Sequence, residues 1–194
     1  MLFYFYIQID NRQLCSPTDQ QGDSPHCVAY SACSMIESKY WKQNGIPIQL
    51  DAHLVYAKAK EIDSMQEING TYPEAAIKAA IELGGLPKSS KVKTYYNTKD
   101  ERYIKTMKHL IHKYDFVLGG FMIDEEWYKI EKGKWEILKQ SKNTLGGHCV
   151  LIVGYDTKGV YIQNSWGIDW GAKGFARISW DIFLKEFMYG SVVS

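Results

Sequence analysis

The run Gln21-Gly22-Asp23-Ser24-Pro25-His26-Cys27-Val28-Ala29-Tyr30 places a cysteine in the first turn of what reads as a helix. Ser24 suits the N-cap, and Pro25 suits the first helical position, where its missing N–H would find no intrahelical partner. Ala29, Ala32, Cys33, Ile36 and Tyr40 recur at helical spacing and give that helix a buried stripe. Unpaired backbone N–H groups and the helix dipole at this end favour a thiolate, so a thiol ordinarily titrating near pH ~8.5 can become a nucleophile at neutral pH. Taken alone, the segment fits a buried cysteine serving as a small hydrophobe better than a nucleophile.

A second segment bears on the choice. Gly146-Gly147-His148-Cys149-Val150-Leu151-Ile152-Val153-Gly154-Tyr155 reads as a histidine opening a β-branched strand, with a turn at Asp156-Thr157-Lys158-Gly159 and a returning strand Val160-Tyr161-Ile162-Gln163-Asn164. His148 has the parity of Val150 and Ile152, and Asn164 that of Ile162 and Val160. A hairpin can therefore bring the two polar side chains together at its open end. A cysteine, a base and a group orienting the base make a nucleophilic triad. An asparagine amide oxygen can accept from one imidazole nitrogen and leave the other to face the thiol, without adding charge.

These residues resemble the papain-like cysteine peptidases. The resemblance rests on Gln21-Gly22 ahead of Cys27, on Ala29-Tyr30-Ser31-Ala32 after it, and on His148 leading into Val153-Gly154-Tyr155. It rests most heavily on Asn164-Ser165-Trp166-Gly167 followed by Trp170-Gly171 and Gly174. The order cysteine, histidine, asparagine agrees as well, and the likeness runs from about Asp10 to Arg177. What it implies is an α+β, two-lobed fold, with a helical lobe and an antiparallel β-barrel-like lobe and the active site in the cleft between them. It also implies a cysteine endopeptidase working through a thioester on Cys27, with no cofactor and no metal.

By that resemblance His148 is the ion-pair partner of Cys27 and later protonates the leaving amine. Asn164 orients His148, Trp166 covers their hydrogen bond from water, and Gln21 donates its side-chain amide to the oxyanion alongside the backbone N–H of Cys27. Gly70, Thr71, Tyr72, Pro73, Gly147, Cys149 and Trp166 line the substrate cleft by the same likeness. The stretch around His148 carries no charge and little bulk, which implies a roomy, neutral pocket for the second residue before the scissile bond. Its floor is unplaced, because Asp181 to Ser194 departs from the family pattern. The partners implied are a peptide or protein substrate and a separate protein inhibitor. Two alternatives stand beside the peptidase: an acyltransferase or transpeptidase on the same scaffold, and a non-catalytic peptide-binding module. The intact set Gln21, Cys27, His148 and Asn164 argues against the latter.

The departures from the family pattern also carry expectations. Ser24 occupies the position at which relatives form a disulfide, and the chain has four cysteines, Cys15, Cys27, Cys33 and Cys149. No disulfide framework is indicated, which points to the cytoplasm or another reducing compartment. Pro25, His26 and Val28 replace the small residues and tryptophan usual around the nucleophile, and bear on pocket shape rather than mechanism. The residues ahead of Cys27 do not read as the long inhibitory pro-segment of secreted and lysosomal relatives. Either it has been removed or control works without it, as in a cytoplasmic or virus-encoded enzyme.

The elements that must hold these groups follow from composition and periodicity. With 194 residues, 45% hydrophobic and 14% aromatic, the chain can bury roughly 70% of its unfolded surface in one domain spanning 1–194. A net charge of +1 and no basic stripe speak against nucleic acid and anionic membranes as partners. Met1 to Ile7 reads as a strand or packed arm rather than a signal peptide. Leu50-Asp51 reads as a staple and N-cap for a helix through about Lys60, and Pro73 opens a helix ended by Gly84-Gly85. Ile104, Met107, Ile111 and Tyr114 mark a third amphipathic helix. Strands follow over Phe116–Ile123, the hairpin and Gly174–Ser179. Lobes are thus expected at about 20–115 (helical) and at about 1–19 with 116–194 (β). The mixed charges of Glu125 to Lys142 read as a solvated face, the three Leu-Gly-Gly sites as loops or bulges, and His109 with His112 as a weak metal candidate.

Overall fold

A computed structural model describes residues 8–137 and 143–194, so the expected arm at 1–7 lies outside the described residues. A short strand β1 (Ile9–Asp10) leads to helix α1 (Cys27–Asn44), then α2 (Ala52–Asp63) and α3 (Pro73–Ala80). Asp51 caps α2, its carboxylate accepting from the N–H groups of His53 and Leu54, and Pro73 takes the first position of α3. A wide turn at 81–85 closes α3. There a side chain on Gly85 would run into Ile36 of α1, which is why the crossing helices can approach so closely.

α1 is not a two-faced helix. Val28 to Lys39, apart from the half-buried Tyr30, are all buried, the polar residues included. The largest buried polar groups have partners: Ser38 Oγ donates to Ser34 O and accepts from Ser16 N–H, Glu37 accepts from Leu50 N–H, and Lys39 donates to Tyr114 O. A helix buried all round is the axle of its lobe.

The rest of the chain supplies β2 (Val92–Tyr96), α4 (Arg102–Tyr114), β3 (Val117–Asp124), β4 (Glu136–Ile137), β5 (Thr144–Tyr155), β6 (Gly159–Gln163), β7 (Phe175–Ser179), α5 (Trp180–Glu186) and β8 (Phe187–Val193). Among the described residues the strands form one sheet in the order β2-β8-β3-β5-β6-β7-β4, with β1 also on β5. All pairs are antiparallel except β4 with β7. The expected hairpin is β5–β6: Ile152 faces Ile162, and Asp156 accepts from the N–H groups of Lys158 and Gly159 to close the turn.

β5 is shared by two cores. Cys149, Leu151 and Val153 pack with α1, α2 and α3, while Val150 and Ile152 face the opposite way, among residues of α4 and α5. This is the two-lobed α+β arrangement, with a correction to its boundary. The helical lobe expected over 20–115 ends sooner, because β2 pairs with β8 and Tyr103, Met107, Leu110 and Ile111 of α4 join the core of the β lobe. Glu125–Lys142 is not wholly a solvated face either: Trp127 is fully buried. No helix of the described residues is long and apolar enough to cross a membrane. His109 and His112 are exposed on α4, and no cluster of three metal-ligating side chains occurs among the described residues.

Candidate active site

Cys27 is the first residue of α1, two places nearer the helix end than the sequence suggests. The expected cap is displaced: Ser24 Oγ donates to Gln21 O, and His26 occupies the N-cap without a side-chain bond to the helix. The Gln21 stretch is stitched to the residues after Asn164. Gln21 N–H donates to Ser165 O (2.8 Å), Gly167 N–H to Asp19 O (2.9 Å), and Gln20 bridges Trp166. Through these bonds the first turn of α1 meets the mouth of the β5–β6 hairpin.

His148 and Asn164 meet as the strand parity requires, with His148 Nε2 2.8 Å from Asn164 Oδ1. That oxygen also accepts from Ser165 N–H (2.9 Å), which fixes the amide orientation and places the imidazole proton on Nε2. Nδ1 is then the bare, basic nitrogen. Trp166 stacks on the imidazole at 4.6 Å between ring centroids and is itself covered by Tyr128 at 4.5 Å. Trp127 meets His148 edge-on at 6.2 Å, and its carbonyl accepts from Trp170 Nε1. The hydrogen bond is thus roofed by aromatic rings. Trp127 and Tyr128 sit in a charged run, and only the adjacency of two aromatics marks them in the sequence.

Burial acts against charge on both members of the pair. Burial pushes the Cys27 thiol up, and backbone hydrogen bonds involving Cys149, Val28 and Cys27 itself only partly offset it. Burial also pushes His148 down to about 4, against the bond to Asn164. Cys27 does lie in the first turn of α1, yet desolvation outweighs the helix-end N–H groups for a lone thiol. The arrangement therefore suits a proton passing from Cys27 to His148 Nδ1, after which the two opposite charges stabilise each other.

Gln21 is held at both ends of its amide: Ser165 Oγ donates to Oε1 (2.6 Å), and Nε2 donates to Ser24 O (2.9 Å). One of its two N–H bonds stays unengaged among the described residues, and Gln21 lines the cleft with Cys27. Two hollows flank Cys27 and His148. The larger, about 640 Å³, runs from Gln21 and Ser24 to Leu145, Tyr128 and Trp166. The smaller, about 370 Å³, is lined by Gly70, Thr71, Tyr72, Gly147 and Cys149, as expected, together with Met65, Met188 and Tyr189.

Pro73 is a correction: it is buried at the start of α3 and does not line that hollow. Of this loop, Tyr72 and Met65 give that hollow its apolar side. The floor, unplaced from sequence, is Met188 and Tyr189 of β8. Gly120 makes room for Tyr189, since a side chain there would strike its ring, and the Tyr189 hydroxyl bonds with Cys149. All four cysteines are free thiols.

A cysteine at a helix start, an imidazole oriented by an asparagine amide and an amide donor beside them define a thiol-dependent acyl-transfer site. The sequence profile described as "Papain family cysteine protease" matches residues 88–186, about half of the chain, including His148 and Asn164. The chain belongs to the papain family of cysteine proteases. It is 26% identical over 201 residues to the viral cathepsin of Heliothis zea nuclear polyhedrosis virus, covering 92% of this chain and 54% of that protein. It is 23% identical over 213 residues to falcipain-3 of Plasmodium falciparum, covering 86% and 39%. The chain therefore spans well under two thirds of these relatives' lengths. Among solved structures, xylellain of Xylella fastidiosa superposes with a TM-score of 0.73 at 18% identity, covering 97% of this chain and 86% of that one. Bromelain of Ananas comosus, in complex with the E64 inhibitor, gives 0.70 at 18% identity, covering 97% and 99%. Both share the fold.

Proposed function

We propose that the chain is a cysteine endopeptidase. The observation that carries this reading is Cys27 on the first turn of α1, in one cleft with a His148 whose Nε2 is held by Asn164. Cys27 gives its proton to His148 Nδ1 as sulfur attacks the scissile carbonyl carbon. The oxyanion is met by the free Nε2–H of Gln21 and the N–H of Cys27. The tetrahedral species collapses, the C–N bond breaks, and the leaving nitrogen takes the proton from His148. Water then attacks the thioester with His148 as base, releasing the acid and restoring the thiol.

The smaller hollow takes the second residue before the scissile bond. Its described lining includes no carboxylate, lysine or arginine, so it favours a hydrophobic or aromatic side chain; an unpaired cation buried there would cost several kcal/mol. The four free thiols support a reducing compartment as the place of action.

The test is an epoxysuccinyl peptide followed by peptide mapping, beside cleavage of a fluorogenic library varied at that second position. The expected result is one adduct, on Cys27, with cleavage abolished in Cys27→Ala and nearly so in Cys27→Ser. Labelling of another cysteine, or substantial cleavage by Cys27→Ala, would refute the assignment.

A further inference from the structure

One wall of the smaller hollow is the loop 64–72, whose Met65, Asn69, Gly70, Thr71 and Tyr72 line it. Within the loop the described main chain makes one bond, Ile68 N–H to Met65 O. What holds it is α2, through Tyr56, Lys60 and Asp63, which are spaced so as to share one helix face. Lys60 is only 5% exposed, unusual for a lysine. Its ammonium donates to Ile68 O (2.5 Å) and Gly70 O (2.9 Å). The Tyr56 hydroxyl accepts from Gly70 N–H (3.2 Å) and donates to Gly70 O (3.4 Å). Asp63 accepts from Thr71 Oγ1 (2.5 Å) and from the N–H groups of Tyr72 and Met65. Burial alone would raise the Asp63 carboxyl. These bonds and the Lys60 charge hold it below the usual range.

Gly70, with φ +87°, is thus gripped at both its N–H and its C=O. The next residue, Thr71, has neither main-chain group paired among the described residues. An unpaired N–H and C=O at the rim of a hollow can pair with an extended peptide. The order along the chain matters: Lys60 and Tyr56 hold the main chain at Gly70, Asp63 holds the Thr71 hydroxyl and the Tyr72 N–H, and the Thr71 main chain between them is left free among the described residues.

We infer that Lys60 and Tyr56 are positioning residues for substrate recognition: by fixing Gly70 from inside α2 they aim the Thr71 main chain and the Tyr72 ring at the bound peptide. The inference rests on the peptidase reading. Lys60 touches neither the substrate nor Cys27. Its loss therefore weakens peptide binding without altering the thiol.

Lys60→Met keeps the aliphatic stem and removes the ammonium. With a peptide carrying leucine as its second residue before the cleaved bond, the expected result is KM raised about tenfold with kcat within about twofold. The rate of inactivation by the epoxysuccinyl peptide should fall by a similar factor, whereas alkylation of Cys27 by iodoacetamide, which needs no peptide pocket, keeps its rate. Tyr56→Phe, which removes only a hydroxyl, should move KM the same way by a few-fold, and decides the matter if Lys60→Met does not fold. Lys60→Arg should restore most of the affinity. An unchanged KM in Tyr56→Phe and in folded Lys60→Met overturns the inference, as does a fall in iodoacetamide reactivity matching the fall in kcat/KM. If the unaltered chain cleaves no peptide and Cys27 takes no epoxysuccinyl label, the peptidase reading fails and the inference with it. Cleavage by the unaltered chain beside an unmoved KM in the variants sinks the inference alone.

Discussion

On the proposed peptidase reading, Gln21 offers the most direct measure of how the cleft would lower a barrier. Its Oε1 is anchored by Ser165 Oγ at 2.6 Å and its Nε2 by Ser24 O at 2.9 Å, so the remaining N–H is aimed before substrate arrives. A donor held in that way acts on charge that exists only in the transition state. Removing one is worth ~3–4 kcal/mol, about 10²–10³ in kcat. Gln21→Ala should show that loss in steady-state peptide cleavage, with KM within about threefold. Alkylation of Cys27 by iodoacetamide develops no oxyanion, so its rate should stay at that of the unaltered chain. Ser165→Ala provides the control. It frees one end of the amide but leaves the donor in place, and should lower kcat by under about tenfold. A kcat for Gln21→Ala within threefold of the parent, or an equal loss in alkylation, would refute the reasoning, because the first denies the donor a role and the second makes Gln21 a support for the thiol.

Asn164 acts on His148 together with Trp166, which still stacks on the ring when the amide is gone. Asn164→Ala should therefore keep measurable turnover, while His148→Ala loses about 10³-fold or more; equal losses in the two variants would contradict this. A third expectation concerns stability. Glu186 is buried, its Oε2 accepts from Trp127 Nε1 and its Oε1 has no partner among the described residues. Burial raises its carboxyl to about 7. The folded state then binds the proton more tightly than the unfolded one, so its stabilising effect is complete below about 4.5 and is lost as pH rises through about 7. Glu186→Gln keeps an acceptor for Trp127 and cannot ionise. Its melting temperature should exceed that of the parent at pH 8, by an amount reflecting ~1–3 kcal/mol, and the gap should close at pH 5. A gap independent of pH in melting scans would count against the assignment.

The chemistry was legible in the sequence because it depends on residue type and local period. Cys27 after a turn, His148 and Asn164 in matching strand parity, and Asp51 before α2 each declare a local geometry, and each geometry is found. What the sequence concealed depends on long-range packing. The apolar face of α4 says that something covers it, not which side of the sheet, and in the structure Tyr103, Met107, Leu110 and Ile111 pack in the core of the β lobe. β2 carries only Val92, Thr94 and the two tyrosines among lysines, too weak an alternation to register before β8 pairs with it. Ser24 has the chemistry of a cap, but its hydroxyl is taken by Gln21 O, and helix entry passes to His26. Pro73 kept its place at a helix start and lost its expected place in the pocket for the same reason: the first residue of α3 is packed inward.

The strand shared by the two cores also shapes how this molecule can move. Cys149, Leu151 and Val153 lock β5 onto α1, so Cys27 and His148 ride on two elements that pack directly on one another. The lobes can breathe, widening or narrowing the hollows that flank the reactive pair, while the distance from sulfur to imidazole stays with the α1–β5 contact. Amide hydrogen exchange should register this division of labour. Protection should be greatest along β5 and the buried turns of α1, and opening should begin in the loops that line the hollows. Substrate capture can then be a loose, adaptive process without loosening the chemistry it feeds.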